Sequence, residues 1–105
     1  MIISTSPNIG NKKITETLGI ARGNTVRSRN AARDIFAALK NIIGGEIDEY
    51  TKLQAQAREQ AISRMITNAQ DLGADAVVNV RFMTSSVTVQ AAEMLAYGTA
   101  VKLGK

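Results

Sequence analysis

Three carboxylates, Glu46, Asp48 and Glu49, fall within four residues of one another and form the densest acidic cluster in the chain. Oxygen ligands at this spacing can hold a hard cation such as Ca²⁺ or Mg²⁺. They lack the glycine and the spaced Asp/Asn positions of a dedicated calcium loop, so any such metal site is weak and does not select a heavy metal. Soft metals need thiolate or imidazole, and the chain has neither cysteine nor histidine. Thioether sulfur from four methionines is what remains. Met65 lies on an apolar helical stripe, and Met83 and Met94 lie either side of an expected turn that can bring them together. Two thioethers make an incomplete site, and packing is the commoner use of methionine.

Positive charge is gathered early in the chain. Residues 1–40 carry seven basic and two acidic groups, whereas residues 41–105 carry six and seven. Arg29, Arg33 and Lys40 fall within about 40° of one another on a helical wheel, and Arg27 precedes them. Such a strip is the candidate anion-binding site, because phosphate contacts need only clustered positive charge. A solvated helix edge is its ordinary meaning. With two Tyr, two Phe and no Trp, no aromatic residues interleave the basic run, so base stacking on nucleic acid is not expected.

Catalysis finds no constellation. Histidine, the commonest general base, is absent, and no nucleophile has a base at interpretable spacing. GIARG is not a phosphate loop, since neither GxxxxGK[ST] nor GxGxxG occurs. No catalytic residue and no cofactor is therefore expected, and the chain reads as a non-enzyme.

The elements that position these residues follow from periodicity. A length of 105 residues, 45% apolar and 21% charged, predicts one globular domain over residues 1–105. A short strand at 2–5 precedes a turn in SPNIGNKK. A second strand at 13–23 places Ile14, Leu18 and Ile20 on one face and Thr15, Thr17 and Ala21 on the other. From Arg29 to Ile43, Ala32, Ile35, Phe36, Leu39, Ile42 and Ile43 recur at helical intervals. Ser28 or Asn30 caps that helix, and Gly44–Gly45 ends it. A longer helix runs from about Asp48 to Leu72, with acidic residues at its start and Gly73 at its stop.

Two strands complete the order. In ADAVVNVRFM, alternation puts Ala76, Val78, Val80 and Phe82 under the helices and Val77, Asn79, Arg81 and Met83 on the second face. Thr84–Ser86 turns the chain, and residues 93–103 return with Ala96, Gly98 and Ala100 on the second face. The expected fold is α+β in the order β-β-α-α-β-β, an antiparallel sheet with helices packed on one face. A second face of mixed apolar, small and amide character suits a subunit interface, so Val77, Asn79, Arg81 and Met83 are the interface candidates. A buried Arg81 then needs a carboxylate partner.

SPNIGNKKI, ARDIFAALKNIIGGEIDEYTKLQAQARE, NAQDLGADAVVNVRF and YGTAVKL, in this order along nearly the whole chain, resemble the YbjQ-like family of small bacterial and archaeal proteins. That resemblance implies a dodecin-like fold, a homo-oligomeric ring of five subunits, and a family label of heavy-metal binding without an established activity. No signal peptide is expected, because MIISTSPNIGNKK lacks an apolar core of about 7–15 residues. No stretch approaches the roughly 18 apolar residues of a membrane span. The expected compartment is the cytoplasm.

Overall fold

The computed structural model describes residues 1–27, 47–88 and 91–104. Its elements are β1 (Ile2–Ile3), β2 (Lys13–Arg27), α1 (Ile47–Asp71), β3 (Ala76–Thr88) and β4 (Ala91–Gly104). The strands form one sheet in the order β1-β3-β4-β2, with α1 packed on one face. The fold is thus α+β, as the periodicity predicts. The expected helix at 29–43 lies outside the described residues. One pairing departs from the antiparallel expectation: β1 runs parallel to β3, with Ile2 beside Ala76 and Ile3 beside Val77.

Gly73 ends α1 as its sequence position predicts. Its φ of 82° is the left-handed turn that glycine takes without a Cβ penalty. The Gly73 N–H donates to Gln70 O at 2.9 Å and the Ala74 N–H to Ala69 O at 3.0 Å, which satisfies carbonyls the helix would leave open. Asp75 then enters β3, and its carboxylate accepts the Leu103 N–H at 2.9 Å.

The helix sits very close to the sheet. α1 presents Ala57, Ala61, Met65 and Ala69, all buried, to Ala21, Ala96 and Ala100 below. At Gly23 there is no room for a side chain. A methyl group there would overlap the Met65 amide nitrogen and the Ala61 carbonyl oxygen, and would stand 2.7 Å from the Arg64 carbonyl carbon. Thr25, also buried, donates its hydroxyl to Ala57 O at 3.3 Å. Small residues on both surfaces let the two backbones approach, and dispersion contacts replace interdigitated side chains.

This close seat reverses part of the expected face assignment. Ala96, Gly98 and Ala100 lie beneath α1 rather than on the second face, because only small groups fit under the helix backbone. In β3, Val77 and Val80 pack under α1 while Ala76 and Val78 turn to the other side, against Ile9 and Val101. The cause is a bulge between Val78 and Arg81. One extra residue exchanges odd and even positions, and Asn79 takes the strained φ of 55°, which asparagine tolerates better than most residues. In β2, bulges at Ile14/Glu16 and Thr17/Gly19 do the same. Leu18 and Ala21 pack under the helix, and Ile20 faces away, 70% exposed.

Thr84–Ser86 is strand, not turn. Thr84 pairs with Met94, Ser85 with Glu93 and Ser86 with Ala92. β-branched Thr84, Val87 and Thr88 favour the extended backbone, and the ladder continues to Thr88.

Candidate functional site

The face of the sheet turned away from α1 is only partly covered by the described residues. Its upper half is closed by the 4–12 segment, whose Ile9 is buried against Ala76, Val78 and Val101, with Ile14 and Leu103 beside it. Below, cross-strand register builds two rows: Arg22, Tyr97 and Arg81, then Asn24, Leu95 and Met83. Ile20 stands above Arg22 on the same face. Met83 is 52% exposed, and Leu95 and Tyr97 are half-buried. Large apolar side chains thus face outward while alanine and glycine occupy the helix side. An outward apolar sheet face flanked by two arginines is a recognition surface in composition.

The four interface candidates divide. Met83 and Arg81 lie on this open face. Asn79 is exposed at the bulge, where its N–H donates to Ser6 O at 3.0 Å. Val77 does not belong to the set: it is fully buried beneath α1, because the bulge places it in the opposite phase from Arg81. Arg81 is engaged within its own chain. Its Nη1 donates to Thr5 O and to Val80 O, each at 2.9 Å, so it clamps the N-terminal segment to β3 without needing a carboxylate.

At the β2 side the open face runs into a groove of about 510 Å³ lined by Arg22, Asn24, Asn68, Glu93 and Leu95. Asn24 Nδ2 donates to Glu93 Oε2 at 3.0 Å across the two strands. β2 is an outer strand, and α1 reaches over its rim: the Arg22 N–H donates to Asn68 Oδ1 at 2.9 Å, and Arg64 Nη1 donates to Asn24 O at 2.6 Å. Side chains thereby occupy backbone groups that would otherwise recruit another strand. Sequence reasoning missed this rim closure. Its signal is the i, i+4 spacing of Arg64 and Asn68 beside the Ala61–Met65 stripe.

The remaining candidates do not converge. Glu46, Arg29, Arg33 and Lys40 lie outside the described residues, as do the side chains of Asp48 and Glu49, whose backbone forms the first turn of α1. Arg27 closes β2 and its side chain is likewise outside. Among the described residues no three His, Cys, Asp or Glu groups come together in a way that could hold a metal ion. Met83 and Met94 do not meet either. Met83 pairs with Leu95 and Thr84 with Met94, so Met94 points toward the α1 core and Met83 away from it. The described donors therefore do not fit a soft metal. No helix among the described residues is long and apolar enough to cross a membrane.

Comparison with known proteins gives a consistent lineage. A family model described as "Putative heavy-metal-binding" matches residues 1–104. A UPF0145 protein of Methanosarcina acetivorans is 55% identical over 103 residues, covering 98% of this chain and 97% of the relative. A UPF0145 protein of Thermosipho africanus is 57% identical over 105 residues, covering 100% and 97%. These relatives carry no enzymatic name. A crystal structure from Pediococcus pentosaceus, a protein of unknown function in the DUF74 family, superposes with a TM-score of 0.65 at 15% identity, covering 99% of this chain and 98% of the other. At that identity the likeness is one of fold.

Proposed function

We propose that this chain, which belongs to the YbjQ-like UPF0145 family, is a cytoplasmic homo-oligomer that closes a ring of subunits through its open sheet face and serves as a binding or scaffold protein. One observation carries the reading: Ile20, Leu95, Tyr97 and Met83 face outward on a sheet whose other side is covered by α1. Burying those side chains against a neighbour removes apolar surface from water at about 25 cal/mol per Å². The subunit number of five is what the family resemblance implies. Arg22 and Arg81 flank Tyr97 in the same row, so a ring lays pairs of guanidinium groups along each junction, a geometry suited to a small anionic ligand.

Native mass spectrometry of protein taken from its host tests this, since it reports subunit number and co-purifying ligand together. A stable monomer at micromolar concentration in sedimentation overturns the ring. Ile20→Asp places a charge in the junction and is expected to dissociate it while leaving α1 and its core intact.

The family description favours a second reading, metal binding. Calorimetry with Cu(I), Zn²⁺, Ni²⁺ and Ca²⁺ separates the two, because a resident metal site gives stoichiometric heat. Absence of any binding tighter than millimolar removes this reading.

A further inference from the structure

The groove at the β2 rim has two unlike ends. Its lining comes from three elements: Arg22 and Asn24 of β2, Glu93 and Leu95 of β4, and Asn68 of α1. Register sets the order of these groups along it. Arg22 shares a row with Tyr97, Asn24 with Leu95, and Val26 with Glu93. Two residues of strand separate successive rows, so the rows of Arg22 and Glu93 lie about 13 Å apart at Cα. Leu95, half-buried, stands in the row between them.

Hydrogen bonds fix what each end offers. Asn68 Oδ1 accepts the Arg22 N–H at 2.9 Å, and the rest of that carboxamide is its Nδ2, a donor, beside the guanidinium. Asn24 is turned the opposite way. Its Nδ2 donates to Glu93 Oε2 at 3.0 Å, so its Oδ1, an acceptor, belongs to the carboxylate end. One end thus carries a positive charge and amide N–H groups, and the other a negative charge and an amide oxygen. Arg64 Nη1 on Asn24 O at 2.6 Å ties α1 to the strand, which positions Asn68 before any ligand arrives. At about 510 Å³ the groove falls in the size range of small-molecule sites.

We propose that this groove binds a small zwitterion whose carboxylate and ammonium stand at opposite ends of a short stem. The carboxylate accepts from the Arg22 guanidinium and from Asn68 Nδ2, and a bond between ionised groups is stronger than a neutral one. The ammonium donates to the Glu93 carboxylate and to Asn24 Oδ1, and the stem lies along Leu95. A simple anion gains nothing from the Glu93 end, and a simple cation gains nothing from the Arg22 end. An α-amino acid holds both charges on one carbon and does not reach both ends. A free dipeptide and an ω-amino acid share the required chemistry. All five lining residues belong to one chain, so the site does not depend on the ring proposed for the sheet face.

Four ligands test this by calorimetric titration of the whole chain. ε-Aminocaproate and alanyl-alanine have both ends, whereas caproate and hexylamine have one each. At least one two-ended ligand is expected to bind saturably and at least ten-fold more tightly than either one-ended ligand, with the Leu95 methyl resonances shifting along the same titration. The tighter of the two says whether the stem is a methylene chain or a peptide, and either order supports the shared chemistry. Arg22→Gln is expected to reduce two-ended binding to the level of hexylamine, and Glu93→Gln to the level of caproate. Equal affinity for one-ended and two-ended ligands, or no saturation by any of the four, overturns the proposal. Should either variant fail to fold, the four ligands on the unsubstituted chain decide. Ile20→Asp separates the groove from the ring. Binding retained after subunits dissociate supports a site within one chain, and binding lost on dissociation overturns it while leaving the ring standing. A chain that is monomeric without substitution and still binds overturns the ring alone.

Discussion

The seat of α1 on Gly23 makes a quantitative prediction. Gly23→Ala adds one methyl group where the helix backbone already lies: the Arg64 carbonyl carbon is 2.7 Å away, and the Met65 nitrogen and Ala61 oxygen are nearer still. Backbone cannot rotate aside as a side chain does, so α1 has to lift by about 1 Å to reach ordinary contact. A gap of that size forfeits about a quarter to a half of the dispersion well for each contact along the seat. Overpacking of a close-packed site costs about 1–3 kcal/mol, and a backbone clash belongs at the upper end. Against this, replacing glycine restricts the unfolded chain and returns about 0.4–1 kcal/mol. The expected net loss is about 2–3 kcal/mol. With a urea slope of about 1.5 kcal/mol per M, the unfolding midpoint should fall by about 1.3–2 M. Wild type and variant must be compared at one protein concentration, since assembly contributes to apparent stability. A Gly23→Ala midpoint within about 0.3 M of wild type would refute the reasoning.

Other positions give smaller, separable effects. Asn79→Ala should cost about 1 kcal/mol because alanine resists the left-handed φ of 55°, whereas Asn79→Gly should match wild type in the same unfolding assay. Arg81→Ala removes two hydrogen bonds to Thr5 and Val80 carbonyls. It should accelerate amide exchange at Ser4 and Asn79 while leaving the β2–β4 ladder protected. Arg64→Ala with Asn68→Ala uncovers the β2 rim. Unfolding should shift by about 1 kcal/mol or less per lost bond, yet light scattering at high concentration should rise, as an uncapped edge recruits strands.

How far the sequence reveals this fold depends on whether a feature is periodic or a break in period. α1 declares itself through Ala57, Ala61, Met65 and Ala69 and stops at the expected Gly73. β4 alternates without interruption from Leu95 to Leu103, so its two sets are legible even though which set lies under the helix is not. That choice is made by the close seat at Gly23, where small residues replace the large ones a helix usually covers. β2 and β3 hide bulges at Gly19 and Asn79, and past each bulge the inferred faces exchange. Val77 is the casualty: read by parity it belongs beside Arg81, yet it is buried beneath α1. The open face is legible in content through Arg81 and Met83. Its fuller membership, with Ile20, Leu95 and Tyr97, needs strand register to be known. Arg64 and Asn68 read as ordinary polar helix positions, because the β2 rim they close is 40 and more residues away in the chain.

The bulge at Asn79 also stores one residue of slack. A strand with strict alternation cannot lose a residue without sending half its core to solvent. Here, deletion of Asn79 itself, with the bulge drawn flat, leaves every position from Arg81 onward in its present pairing with β4. The loss is confined to the Ser6 hydrogen bond and the grip on the N-terminal segment. β3 can therefore shorten by one residue and still close the same sheet, so the junction between sheet and N-terminal arm absorbs a change of length without a change of register.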